Sequence, residues 1–87
     1  MTAEKLTDSN GNTYYRSGNL CGGREGKWIE VWKPEDAVLE DGVVLLRFHH
    51  EESELVLTRL KAGGSTNVRP EDIPAAIELL QTIREQK

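Results

Sequence analysis

The hydrophobic and polar positions along the chain follow two different periods. Residues 27–33 and 43–48 are rich in β-branched and aromatic side chains, which are typical of strands. Near the end of the chain, apolar residues recur at steps of three and four, as on one stripe of an α-helix. The chain is therefore predicted to be α+β, with strands first and one C-terminal amphipathic helix. The apolar stripe of this helix contains Ile73, Ala76, Ile77, Leu80 and Ile83.

Local signals indicate where these segments begin and end. The Asn10-Gly11 pair lies between two short β-compatible stretches and predicts a hairpin with a type I′ turn. Residues 18–26 contain four glycines and are predicted to form a mobile loop. Pro34 should end the following strand because proline cannot donate to the ladder. Asp72 is the predicted N-cap of the helix.

A further strand is predicted at residues 54–60, antiparallel to residues 43–48 across a polar turn. The predicted fold is an antiparallel sheet of about four to five strands followed by one helix, in the order β-β-β-β-α. This order resembles in outline the single-stranded DNA-binding transcriptional coactivator fold, in which a curved sheet precedes a helix. No motif of that family matches residue by residue, and the acidic balance departs from it, so we assign no family.

Length and composition narrow the class of protein. With 87 residues, 37% of them hydrophobic and 30% charged, residues 1–87 are predicted to form a single small domain. No apolar run approaches the roughly 20 residues that span a bilayer, and the first residues do not follow the order of a signal peptide. We expect a cytoplasmic protein. Its formal net charge of −4 argues against sequence-blind attraction to phosphate backbones.

Two groups of residues could carry chemistry. Cys21 is the single cysteine, so an internal disulfide and a multi-cysteine zinc site are excluded. A nucleophilic Cys21 would need a base, and an inert thiol is the favoured interpretation. His49 and His50 stand beside Glu51 and Glu52, but neighbouring strand residues point to opposite faces, so a solvated turn is favoured over a metal site. We predict no enzyme activity, no cofactor and no metal.

The most informative pattern is Trp28-x-Glu30-x-Trp32. With a period of two, these three side chains share one face of a strand, whereas Ile29 and Val31 share the other. If Ile29 and Val31 face the helix, both indoles lie on the open face of the sheet. The alternative is that one or both tryptophans belong to the core. The predicted aromatic and basic binding face contains Trp28, Trp32, Tyr14, Tyr15, Arg24, Lys27, Arg47 and Arg59.

Both faces of the predicted sheet are apolar, and one helix can cover only one of them. An uncovered apolar sheet face usually marks an interface. We therefore predict a homodimer interface containing Val43, Leu45 and Val56, unless the N-terminal hairpin folds back over that face. The predicted function is a non-enzymatic binding module, a regulatory or adaptor protein that contacts another protein. The alternative is single-stranded nucleic-acid binding through tryptophan and tyrosine stacking and arginine and lysine contacts to phosphates.

Overall fold

The computed structural model describes residues 3–35, 38–64 and 67–85. Within these ranges five strands precede two helices. The α+β class is confirmed, and the predicted single helix is corrected to two. The elements are β1 (Glu4–Thr7), β2 (Thr13–Ser17), β3 (Leu20–Glu25), β4 (Trp28–Glu35), β5 (Val38–His49), α1 (Ser53–Lys61) and α2 (Ile73–Glu85).

The strands form one antiparallel sheet in the order of the sequence, from β1 at one edge to β5 at the other. The predicted hairpin at Asn10-Gly11 is present, but its turn is longer than a type I′ turn. Gly11 has a positive φ of 84°, whereas Asn10 does not have a positive φ. Instead, a carboxylate oxygen of Asp8 accepts hydrogen bonds from the backbone N–H groups of Asn10 and Asn12, at 2.9 and 2.8 Å. This side chain therefore organises the turn.

The glycine-rich segment that was predicted to be a loop is strand β3. Gly22 faces the helices: a Cβ atom there would lie 3.2 Å from Cδ1 of Ile83 and 3.3 Å from the carbonyl oxygen of Glu30. Gly23 lies on the opposite face, where a Cβ atom would lie 3.4 Å from Cβ of Tyr14. Close packing explains Gly22 better than loop mobility does, whereas the contact at Gly23 would be an ordinary one.

The prediction of a strand at residues 54–60 was wrong, because this segment is helix α1. Leu55 and Leu57 would share a face in a strand, but Leu57 is buried and Leu55 is 52% exposed. Ser53, Leu57 and Leu60 are the buried positions, and their spacing of four and three residues is helical. Val56 and Arg59 consequently lie on a helix and not in the sheet.

Both helices pack against one face of the sheet and form a common core with it. The buried members of this core from α2 are Ala76, Leu79, Leu80 and Ile83. Asp72, the predicted N-cap, is the last residue of a 3₁₀ turn immediately before α2, and its N–H donates to the carbonyl of Arg69. The sheet contributes Tyr15, Leu20, Ile29, Val31 and Phe48.

Neither described helix is long and apolar enough to cross a membrane.

Candidate binding groove on the open sheet face

The face of the sheet opposite the helices carries a concave groove of about 730 Å³. Residues opposite one another in an antiparallel pair point to the same face, so the strand register shows which side chains line it. Glu30 of β4 pairs with Gly23 of β3 and with Arg47 of β5. Trp32 pairs with Val44. The groove thus crosses the sheet from β2 to β5.

Two aromatic rings form one part of the groove. The ring centroids of Tyr14 and Trp32 are 5.7 Å apart, with planes tilted by 42°. The indole N–H of Trp32 donates to the carbonyl of Leu39 at 2.7 Å, which fixes the orientation of this half-buried side chain. Gly23 contributes no side chain beside Tyr14, so the floor of the groove stays low at this point. Tyr14 is buried, so the half-buried ring of Trp32 is the member of this pair that a ligand can contact.

Trp28 is the exposed aromatic residue of the groove, with 42% of its surface accessible. The guanidinium carbon of Arg47 lies 4.4 Å from the centre of its ring, and His49 approaches the ring edge-on with centroids 5.7 Å apart. Nε of Arg47 also lies 3.2 Å from Oε1 of Glu30. Trp28, Arg47 and Glu30 thus form one connected set, which we call the Trp28 cluster.

The charge lining the groove is mainly negative. Arg47 is paired within the Trp28 cluster, and Arg24 donates from Nε to the carbonyl of Gly26 at 2.8 Å. The side chains of Glu25 and Asp41 form no ion pair within the described part of the chain. The four carboxylates of the lining outnumber its two guanidinium groups; they are those of Asp8, Glu25, Glu30 and Asp41.

The structure gathers five of the predicted binding residues around this groove and places three elsewhere. Tyr15 is a core residue on the helix-covered face, because the alternation along β2 sends it opposite to Tyr14. Lys27 lies in the turn between β3 and β4, where its carbonyl accepts from His50, and Arg59 lies on α1. The five residues at the groove are Tyr14, Arg24, Trp28, Trp32 and Arg47.

Three of the four carboxylates of the groove were missed from the sequence, those of Asp8, Glu25 and Asp41, whereas the period of two placed Glu30 beside the two tryptophans. Glu25 pairs with Trp28 across the β3–β4 hairpin, so a strand assignment for β3 would have placed it beside the indole. Asp41 could not have been found in the same way, because its position depends on the irregular pairing of β5.

The residues predicted as a dimer interface do not form one surface. Val43 is 65% exposed, but Leu45 and Val56 are partly buried against the core. The cause at Leu45 is a bulge: Val31 pairs with Leu46 and Trp32 with Val44, so Leu45 has no partner across the strand. The N-terminal hairpin does not fold back over the sheet either, because β1 and β2 extend it.

The environment of the Cys21 thiol does not activate it as a nucleophile. Cys21 is completely buried, and this burial raises the pKa of its thiol, while the nearby charge of Arg16 lowers that pKa to a smaller extent. A reactive cysteine requires accessible thiolate. Cys21 therefore does not have the environment of a reactive cysteine.

The ligand atoms of His49, His50 and Glu51 lie within 4.8 Å of one another. However, Nδ1 of His49 already accepts a hydrogen bond from the Glu51 N–H at 3.2 Å. Metal-bound imidazoles are normally held by a hydrogen bond from the ring N–H to an acceptor, and none is formed within the described part of the chain. This geometry does not favour a metal site.

Comparisons with protein-family models, with curated proteins and with solved structures give no match to this chain.

Proposed function

We propose that this chain is a non-enzymatic binding module that holds a segment of another protein in the groove on its open sheet face. The proposal depends on one observation, the concave groove of about 730 Å³ that Trp28 and Trp32 line and that no described helix covers. Its volume is in the range of pre-formed ligand sites. Tryptophan and tyrosine are enriched among the residues that contribute most to protein–protein binding, because they bury a large area with little loss of side-chain entropy.

The charge of the groove supports a protein partner over a nucleic acid. Stacking on Trp28 and Trp32 would suit either one. Phosphate groups, however, would meet more carboxylates than guanidinium groups, on a chain with a net charge of −4. Two of the cations required by the nucleic-acid alternative, Lys27 and Arg59, do not line the groove. We retain that alternative as an outcome of the experiment.

The experiment is a selection of groove ligands from a random peptide library, followed by affinity measurements on two variants. Trp28→Ala should weaken the selected peptides at least ten-fold, as expected for a central aromatic contact. Val38→Ala is the matched control, because Val38 is 43% exposed, close to the 42% of Trp28, but lies outside the groove. Equal affinities of the two variants would refute the groove as the binding surface. Tighter binding of oligothymidine than of any peptide, abolished by Trp28→Ala, would favour the nucleic-acid alternative.

Self-association remains part of the proposal, through a different surface from that predicted. β5 is the last strand of the sheet, and Val43 on it is 65% exposed. An unpaired edge strand can pair with the same strand of a second copy. Sedimentation equilibrium should then show a dimer that Val43→Asp dissociates and Leu55→Asp, at a 52% exposed position on α1, does not. A monomeric wild-type chain at tens of micromolar would rule out the homodimer and leave the groove proposal intact.

A further inference from the structure

We infer that the groove receives a cationic side chain of its partner, preferably arginine, between Trp28 and Glu30, where Arg47 lies in the free protein. This inference rests on the proposed function and specifies the chemistry of the partner. In the free protein, Arg47 acts as an internal substitute for the ligand.

The geometry of the Trp28 cluster is that of a guanidinium site. An indole face and a carboxylate are the two groups that recognise a planar cation, the first by its ring quadrupole and the second by a charge-assisted hydrogen bond. Here the guanidinium carbon lies 4.4 Å from the ring centre of Trp28, and Nε lies 3.2 Å from the carboxylate of Glu30. A cation from a partner would find both groups already in place.

Arg47 is held weakly enough to be displaced. The side chains of Arg47 and Glu30 are 55% and 43% exposed, so water screens their ion pair. Exposed ion pairs and exposed cation–π contacts each contribute little to stability. A partner that brings several contacts can exceed this cost.

The groove can also accommodate a second cation. The carboxylates of Glu25 and Asp41 are exposed and line the groove without an ion pair in the described part of the chain. The carboxylate of Asp8 is already used by the turn between β1 and β2. A peptide with two spaced arginines would therefore find further carboxylates in the groove besides that of Glu30.

The sign of one mutational effect distinguishes this partner from an anionic one. If the ligand is cationic, Arg47→Gln removes a competitor and a repulsive charge, and affinity should rise. If the ligand is a nucleic acid or an acidic peptide, Arg47 contacts the ligand itself, and the same substitution should lower affinity. Arg24→Gln is the matched control, because it removes one positive charge from the same groove without exposing the indole.

The experiment is a titration of the protein with a synthetic peptide of alternating arginine and glycine, followed by tryptophan fluorescence and calorimetry. The second ligand is the same peptide with citrulline, the neutral isostere of arginine, at every arginine position. We expect the citrulline peptide to bind at least ten-fold more weakly. Arg47→Gln should tighten the arginine peptide several-fold and by more than Arg24→Gln does. Glu30→Gln and Trp28→Ala should both weaken it.

Three outcomes would overturn the inference. Equal binding of the arginine and citrulline peptides would show that the cation is not recognised, while the groove would still be a peptide site. An unchanged or lower affinity in Arg47→Gln would show that Arg47 is not a competitor. Failure of the arginine peptide to bind would also overturn the inference, and the library selection would then decide separately whether the proposed function stands.

Discussion

Gly42 lies where the backbone of β5 passes close to that of β4, and Gly42→Ala is expected to be one of the most damaging single-methyl additions to this sheet. Gly42 pairs with Pro34, next to an irregularity in the register of the two strands. A Cβ atom at Gly42 would overlap the carbonyl oxygen of Lys33 and would lie 2.7 Å from its carbonyl carbon and 2.8 Å from Cα of Pro34. The φ angle of Gly42 is not positive, so the expected effect is purely steric.

The size of the effect follows from which atoms must move. Real Cβ atoms essentially never approach other heavy atoms more closely than 3.0 Å. The overlapping atoms here are backbone, which cannot rotate away, so β4 and β5 would have to separate locally. Inserting a methyl group into packed structure typically costs about 1 to 3 kcal/mol, and we expect about 3 kcal/mol at this site. A chain of this length has a free energy of unfolding of about 4 to 13 kcal/mol, so the loss would be readily measured.

The assay is urea denaturation followed by tryptophan fluorescence, with Gly64→Ala as the control. A Cβ atom at Gly64 would lie 3.5 Å from the carbonyl oxygen of Arg59, which is an ordinary contact, and its φ is not positive. We expect Gly64→Ala to change the free energy of unfolding by no more than about 0.5 kcal/mol. If Gly42→Ala changes it as little, the close approach of β4 and β5 described above is wrong.

The remaining predictions concern the core. Leu80→Ala should lower the free energy of unfolding by about 2 to 5 kcal/mol because Leu80 is completely buried. Leu55→Ala, at a 52% exposed position, should lower it much less. Equal losses in urea titrations would contradict the assigned helix faces. Cys21 should react with iodoacetamide far more slowly in the folded than in the urea-unfolded protein, and fast labelling of folded protein would contradict its burial. Because burial raises the pKa of the Cys21 thiol, the contribution of this thiol to stability should be complete below its pKa in the unfolded chain, about 8.5, and should decline as pH rises beyond that value. Cys21→Ala should remove this component of the pH dependence.

Helix α2 could be predicted from sequence and helix α1 could not, for a physical reason. The apolar residues of α2 repeat at helical steps over 13 residues, long enough to separate a helical from a strand period. α1 has nine residues, and its Leu55, Val56 and Leu57 are consecutive, so alternation and helical spacing fit almost equally well. Tertiary packing selects the helix, because Leu57 and Leu60 are buried in the core whereas Leu55 is exposed to solvent.

The candidate site could be predicted in part, because alternation along one strand depends on local geometry alone. The period of two correctly separated Trp28, Glu30 and Trp32 from the buried Ile29 and Val31. The position of Leu45 could not be derived in this way, because a bulge interrupts the alternation and depends on the pairing of two strands. The cation-over-indole contact of Arg47 likewise requires the register of β4 against β5.

The adjacent glycines of β3 separate core packing from the shape of the groove, two properties that are usually coupled in a small protein. Gly22 belongs to the packed side, where a methyl group would press on Ile83, so substitution there would be opposed by the core. Gly23, one residue later, belongs to the groove side, where a methyl group would make an ordinary contact with Tyr14. Small side chains at Gly23 would therefore raise the floor of the groove and change which ligand shapes fit, at little expense to folding. Evolution or design could adjust recognition at this one backbone position while leaving the core intact.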